Sequence, residues 1–244
     1  MIGGLRRDYL IYGISKGLGK ALAKHLPQAE DLVYGISRNQ PDYLQEVDHK
    51  IEWIAADLAN PAESSESIRH VIGSNRIDYL IYNVGIWEHN AFSDEYDFKD
   101  NTKEEILTMI NTNISSCLLA VQSFTENLKK SENAKIILIG STWGLENHSG
   151  KEVTFSATKF ALRGIVHALR ENLREYGIGV SILNLGYLAT EFDYEEDLDK
   201  VLEQTHAELI PLQDVMAAIQ FILSTSKASC VKEITMPAMK DTNV

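Results

Sequence analysis

The sequence predicts an α/β fold: a doubly wound, parallel, seven-stranded sheet with helices on both faces. Two observations predict it. Short, nearly continuous apolar runs recur along the 244 residues, and helix-like segments separate them. Strands buried on both faces read as continuous rather than alternating, and crossover helices make their neighbours parallel. Right-handed crossovers then wind the sheet in both directions.

The runs are YLIYGI (9–14), LVYGIS (32–37), IEWIAA (51–56), DYLIYNVG (78–85), KIILIGS (135–141), VSILNLG (180–186) and KEITM (232–236). Helices are predicted over 17–26, 61–72, 104–129, 155–176 and 212–224. Two stretches break the alternation. Residues 86–103 form a long polar connection after the fourth strand, and 187–208 an acidic one after the sixth. Both leave the carboxyl ends of strands, where such sheets bind ligands, so both are expected to be substrate loops on a single domain spanning 1–244. Their individual carboxylates read most simply as a solvated surface.

A composition of 44% hydrophobic and 24% charged residues suits one sizeable core. The net charge of −12 argues against broad nucleic-acid binding. No apolar run approaches the ~18 residues of a spanning helix, so no membrane partner is expected. The apolar run near the N-terminus ends in a glycine-rich turn and reads as the first strand rather than a signal peptide. Cys117 and Cys230 suggest neither a disulfide framework nor a metal site, and a reducing, cytoplasmic setting is expected.

The first strand runs into Gly13-Ile14-Ser15-Lys16-Gly17-Leu18-Gly19 and then a helix. Glycines permit a tight turn and a close approach to a pyrophosphate, and the helix N-terminus offers N–H groups to it. Dinucleotide-binding folds place an acid for the ribose hydroxyls, or a base for a 2′-phosphate, about 20 residues on. Here Ser37 and Arg38 stand there, and Lys16 adds charge nearby. A guanidinium suits phosphate, so NADP(H) is favoured over NAD(H).

These features resemble the short-chain dehydrogenase/reductase family, in its compact, single-domain, Rossmann-like branch, over nearly the whole chain. Gly13, Gly17 and Gly19 match TGxxxGxG, with Tyr12 for Thr. Asp57 and Leu58 resemble the acidic pair that contacts adenine. Tyr82-Asn83-Val84-Gly85 resembles NNAG. Asn113 matches the family's helix asparagine, Ser141 its serine, and Lys159 the lysine of YxxxK. Leu185-Gly186-Tyr187-Leu188-Ala189-Thr190 resembles PGxxxT, adding Gly186 and Thr190 to the cofactor-binding candidates. The resemblance implies hydride transfer between nicotinamide and a carbonyl or alcohol. Serine polarises the carbonyl, tyrosine moves the proton, lysine holds the ribose, and asparagine positions a water. It also implies homodimers or homotetramers through the long helices, with Leu118, Leu119, Phe124, Phe160, Ile165 and Leu169 as a candidate face.

The chain departs from the pattern at one decisive place. Phe155 occupies the tyrosine position, four residues before Lys159 on the same helix face. Ser141 precedes it by one residue more than the family spacing, and Thr142 is the alternate serine-equivalent. Three readings stay open: an engineered Tyr→Phe change, a natural variant with a substitute acid, or dinucleotide binding without turnover as a sensor or partner subunit. The substitute could be Ser141, Tyr187, His148 or a water on Lys159. Trp87, His89, Trp143 and Tyr187 are expected to line the cleft mouth, which suits an apolar or ring-bearing carbonyl compound.

Overall fold

The computed structural model describes residues 6–241. Seven strands, β1 (Asp8–Tyr12), β2 (Leu32–Ser37), β3 (Lys50–Ala55), β4 (Tyr79–Tyr82), β5 (Lys135–Ile139), β6 (Gly179–Leu185) and β7 (Glu233–Met236), pair in one sheet. Their order is β3-β2-β1-β4-β5-β6-β7 and every pairing is parallel. The helices are α1 (Gly17–His25), α2 (Pro61–Ile72), α3 (Lys103–Ile110), α4 (Ser116–Leu128), α5 (Val153–Leu173), α6 (Leu198–Gln204) and α7 (Leu212–Ser224). The predicted doubly wound sheet is therefore the observed one.

Alternate strand residues feed two cores. On β1, Leu10 and Tyr12 face α2, α4 and α5, while Tyr9 and Ile11 face α1 and α7. This is the period-2 consequence of the pleat. Truncating a fully buried residue such as Leu10 to alanine would cost ~2–5 kcal/mol. The strand order reverses between β1 and β4, and the crevice at their carboxyl ends holds the glycine loop.

Four details differ from the sequence expectation. The helix predicted over 104–129 is broken by a π-helical turn, Asn111–Ser115, between α3 and α4. Such turns commonly mark functional sites, and Asn113 lies inside this one. The helix predicted to start at Phe155 begins at Val153, and a 3-10 turn and Gly177 at φ 67° end it. The acidic connection 187–208 contains α6, which Asp197 caps by accepting from Lys200 N. Finally, the second helical face is smaller than expected. Phe124 is fully buried in the core, and Ile165 and Leu169 pack against it, leaving Leu118 and Phe160 exposed.

Candidate active site

The glycine loop is built for close approach. Gly13 lies at φ 82°, a left-handed conformation, and a Cβ there would collide with Asn83 O. A Cβ on Gly19 would overlap the Gly13 carbonyl oxygen and stand 2.8 Å from Asn83 Nδ2. Asn83 ties the loop to β4, its N donating to Tyr12 O at 3.2 Å. Lys16 caps α1 through extended backbone and offers no side-chain acceptor to the first-turn N–H groups. Thr190 lies over Gly17, with its Cγ2 3.1 Å from where a Cβ would stand. A narrow cradle at a helix N-terminus fits a pyrophosphate. Ser15, Lys16 and Arg38 are exposed, and no acid pairs with either base among the described residues. Ser37 Oγ accepts from Trp53 Nε1 at 3.0 Å, and the strand end carries Ser37, Arg38 and Asn39 with no carboxylate.

Two departures from the family pattern meet in space. Tyr12 and Tyr82 are register partners on β1 and β4, with ring centroids 5.1 Å apart. Both are buried, and Tyr82 donates its hydroxyl to Thr112 O at 2.6 Å. The pair fills the space beneath the cofactor crevice as core. Asp57 is exposed and caps its own turn by accepting from Ala59 N at 3.2 Å, while Leu58 enters the core.

Beyond the crevice, Asn113, Ser141, Phe155 and Lys159 are all less than a tenth exposed. Asn113 is fixed by Ile86: its Oδ1 accepts from Ile86 N at 2.9 Å, and its Nδ2 donates to Ile86 O at 2.8 Å. The same Nδ2 donates to Thr158 Oγ1 at 3.0 Å, joining the π turn to α5 beside Lys159. Lys159 Nζ donates to Ile139 O at 3.1 Å, at the end of β5, and lies 5.4 Å from the Phe155 ring centroid. Burial pulls this ammonium down to about 8, with the buried Cys117 thiol acting weakly the other way. Gly85 makes room for it, since a Cβ there would stand 3.0 Å from Lys159 Nζ. Ser141 Oγ accepts from Trp143 N at 3.2 Å and caps a short 3-10 turn. Thr142 is fully buried within that turn, and its Oγ1 has no hydrogen-bond partner among the described residues.

The environment of Phe155 holds four residues that sequence reasoning passed over. Glu88 is fully buried, and its Oε1 accepts from Thr154 N at 2.9 Å and Phe155 N at 3.1 Å. Tyr96 Oη accepts from Val153 N at 3.0 Å. The loop after β4 thus supplies the cap that α5 lacks, and a carboxylate at a helix N-terminus is favourably placed. Glu152, also buried, accepts from Phe92 N at 2.8 Å and from Trp143 Nε1 at 2.6 Å. Phe92 then meets the rings of Trp87, Trp143, Phe155 and Tyr187 edge-on, at 5.5–5.8 Å. The only sequence signal was placement: both carboxylates flank the predicted strand and helix ends.

Several expected members fall elsewhere. His89 is exposed, makes no ring contact among the described residues, and donates its N–H to Glu105. Trp143 is buried rather than at the mouth. His148 Nδ1 accepts from Gly150 N, and its Nε2 bonds Ser156 Oγ at 2.9 Å, so it is committed outside the reacting position. Tyr187 keeps a hydroxyl without a hydrogen bond among the described residues. Burial, and then the charges of Glu152 and Asp241, push it up to about 12. Phe92 separates its ring from Phe155. The lid acids Asp193 and Glu195 are exposed, as expected of a solvated surface, yet both are ion-paired. Asp193 pairs with Lys20 at 2.6 Å, and Glu195 with Lys24 at 3.4 Å and His25 at 3.0 Å, with Tyr194 stacked on His25. These contacts pin the lid to α1 beside the glycine loop.

Comparison with known proteins agrees with this geometry. The family model for short chain dehydrogenases matches residues 8–200. The chain is 29% identical over 242 residues to the 3-oxoacyl-[acyl-carrier-protein] reductase FabG of Buchnera aphidicola, covering 95% of each. It is 26% identical over 196 residues to a 3-ketodihydrosphingosine reductase of Bacteroides thetaiotaomicron, covering 80% of this chain and 69% of that one. Among solved structures, a putative 3-oxoacyl-reductase from Bacillus thuringiensis superposes with TM-score 0.81 at 20% identity, over 98% of this chain and 100% of that one. A 3-oxoacyl-[acyl-carrier protein] reductase from Brucella melitensis with bound NAD superposes at 0.78 and 19% identity, over 97% and 92%.

Proposed function

As the chain belongs to the short-chain dehydrogenase/reductase family, we propose that it is an NADP(H)-dependent carbonyl reductase whose proton donor is the Lys159 ammonium. The observation that carries this reading is the placement of Lys159 Nζ. It is buried at the end of β5, beside the ring that lacks a hydroxyl. When bound, a nicotinamide dinucleotide supplies the hydride. The chain's own residues do the rest. The glycine loop and the α1 N-terminus would hold the pyrophosphate, and Asp57, Asn83, Gly85, Gly186 and Thr190 would line the rest of the dinucleotide's path. Ser141 Oγ donates to the carbonyl oxygen and stabilises charge developing there. Lys159 delivers the proton directly or through one water, and Asn113 orders Ile86 and Thr158 around that path. The names of the relatives specify 3-oxo and 3-keto compounds, which supports a ketone as the reducible group.

Arg38 and Lys16, exposed and without an acidic partner among the described residues, support the choice of NADP(H). Each hydrogen bond to a charged phosphate contributes ~1.5–3 kcal/mol. Arg38→Ala should therefore weaken NADPH binding by roughly 10–100-fold and leave NADH within about threefold. Fluorescence titration of both cofactors checks this, and equal losses would remove the case for NADP(H).

Other features of the reading follow from the surface. Leu107, Ile110, Leu118 and Phe160 are exposed on α3, α4 and α5, and a homo-oligomer would cover them. Both cysteines are free, which suits a reducing cytoplasm. No helix among the described residues is long and apolar enough to cross a membrane. We read the chain as one domain, since its strands share a single sheet.

A further inference from the structure

We propose that Phe92 sets the size of the substrate, admitting compact ketones and excluding long-chain ones. The inference rests on the carbonyl reductase reading and specifies the substrate class of that same site.

Four elements send a ring to one point. Trp87 comes from the loop after β4, Trp143 from the turn after β5, Phe155 from α5 and Tyr187 from the loop after β6. Each leaves the carboxyl edge of the sheet, so the point they enclose lies over the reacting position. Phe92 fills it. Beneath it, Ser141, Phe155 and Lys159 are nearly closed to solvent, while Phe92 itself is 37% exposed. The ring therefore stands as a roof where the non-reacting part of a ketone would lie.

The roof is held in place. Phe92 has φ 64°, a left-handed conformation that a bulky side chain adopts only under constraint. The constraint is visible: buried Glu152 accepts from Phe92 N at 2.8 Å and locks Trp143 with its other oxygen at 2.6 Å. Glu88 and Tyr96 fasten the same loop to the first turn of α5. A surface loop that was merely packing would spread its apolar side chains. This one spends a strained residue and a buried carboxylate on placing a single ring. A flat ring or short chain needs little of the volume that Phe92 fills beside Trp143 and Tyr187. An extended chain of ten carbons must displace it.

The test is tryptophan fluorescence of the full chain, titrated with cyclohexanone and with 2-decanone, with and without NADPH. Trp87 and Trp143 flank Phe92 and report occupancy. Phe92→Gly removes the ring and accepts the backbone conformation. It should raise 2-decanone affinity tenfold or more and leave cyclohexanone within threefold. Phe92→Leu should give an intermediate gain, and it decides the matter if the glycine variant does not fold. Equal changes for both ketones, or no gain for 2-decanone, would overturn the proposal. The cofactor-free titrations read size selection alone. Failure of NADPH to bind would overturn the reductase reading separately, leaving the ketone ratio interpretable.

Discussion

Replacing Phe155 by tyrosine is expected to raise ketone reduction by up to ~10²–10⁴-fold, the usual worth of a positioned general acid less what Lys159 already supplies. That corresponds to roughly 3–5 kcal/mol of barrier. The rest of the machinery is in place to use the hydroxyl. Phe155 is held at its backbone by Glu88 and at its ring by Trp143, Met109 and Ile86. Lys159 Nζ already lies 5.4 Å from the centroid of the ring that would carry the oxygen. A phenol there can donate to the carbonyl oxygen while the ammonium favours its ionised form. Steady-state NADPH oxidation with a panel of small ketones measures the gain. Tyrosine giving no increase with any ketone that the native chain reduces would sink the claim that a hydroxyl is what the site lacks.

The pH profile distinguishes the two donors. A reduction consumes a proton, so its donor must be protonated. With Lys159 as donor, pulled down to about 8 by burial, the Phe155 chain should be fully active below that value and lose activity as pH rises through it. Oxidation of the alcohol should show the opposite limb, rising through the same value. In the tyrosine variant the proton comes from the phenol, and the limb should move. A flat profile for the native chain between pH 7 and 9 would remove Lys159 from the donor role.

How much of this was legible depended on whether the cause was local. The glycine loop is local: Gly13 and Gly19 are required by their own turn, and their spacing announced it. The strands were legible because burial on both faces leaves continuous apolar runs. Their carboxyl ends were overrun, since Gly13 and Gly85 continue the apolar pattern while the backbone turns away. The π turn at Asn111–Ser115 could not be read, because it arises from fitting Asn113 between Ile86 and Thr158, partners distant in sequence. Glu88 and Glu152 looked like any solvated acids. Only the fold turns them inward, one onto the N-terminus of α5 and one onto Phe92 and Trp143. Phe124 was misplaced because α4 carries apolar residues on more than one side, and spacing alone does not say which side meets the sheet. Phe92 carries no periodic signal at all.

The second large effect is expected from Gly19→Ala. The added methyl would overlap the Gly13 carbonyl oxygen and crowd Asn83 Nδ2 at 2.8 Å, so something must shift. Neither neighbour can yield easily. Gly13 sits in a left-handed turn already packed against Asn83 O, and its N–H donates to Ile36 O at 2.8 Å at the end of β2. Asn83 is tied by its own N–H to β1. The remaining freedom is to push α1 away from the sheet. That would lift Leu18, Ala21 and Leu22 out of the core they share with α7, and strain the lid pairs that Lys20, Lys24 and His25 make. Overpacking of this kind costs ~1–3 kcal/mol, and occasionally more where backbone is the obstacle. The same displacement moves the α1 N–H groups off the pyrophosphate, so NADPH affinity should fall at least 100-fold, or roughly 2.7 kcal/mol. Thermal melting and NADPH titration on the same sample separate the two losses. A variant that melts several degrees lower yet binds NADPH within threefold of the native chain would show that the cofactor does not rest on this turn. A stable variant with binding abolished would place the whole effect at the pyrophosphate.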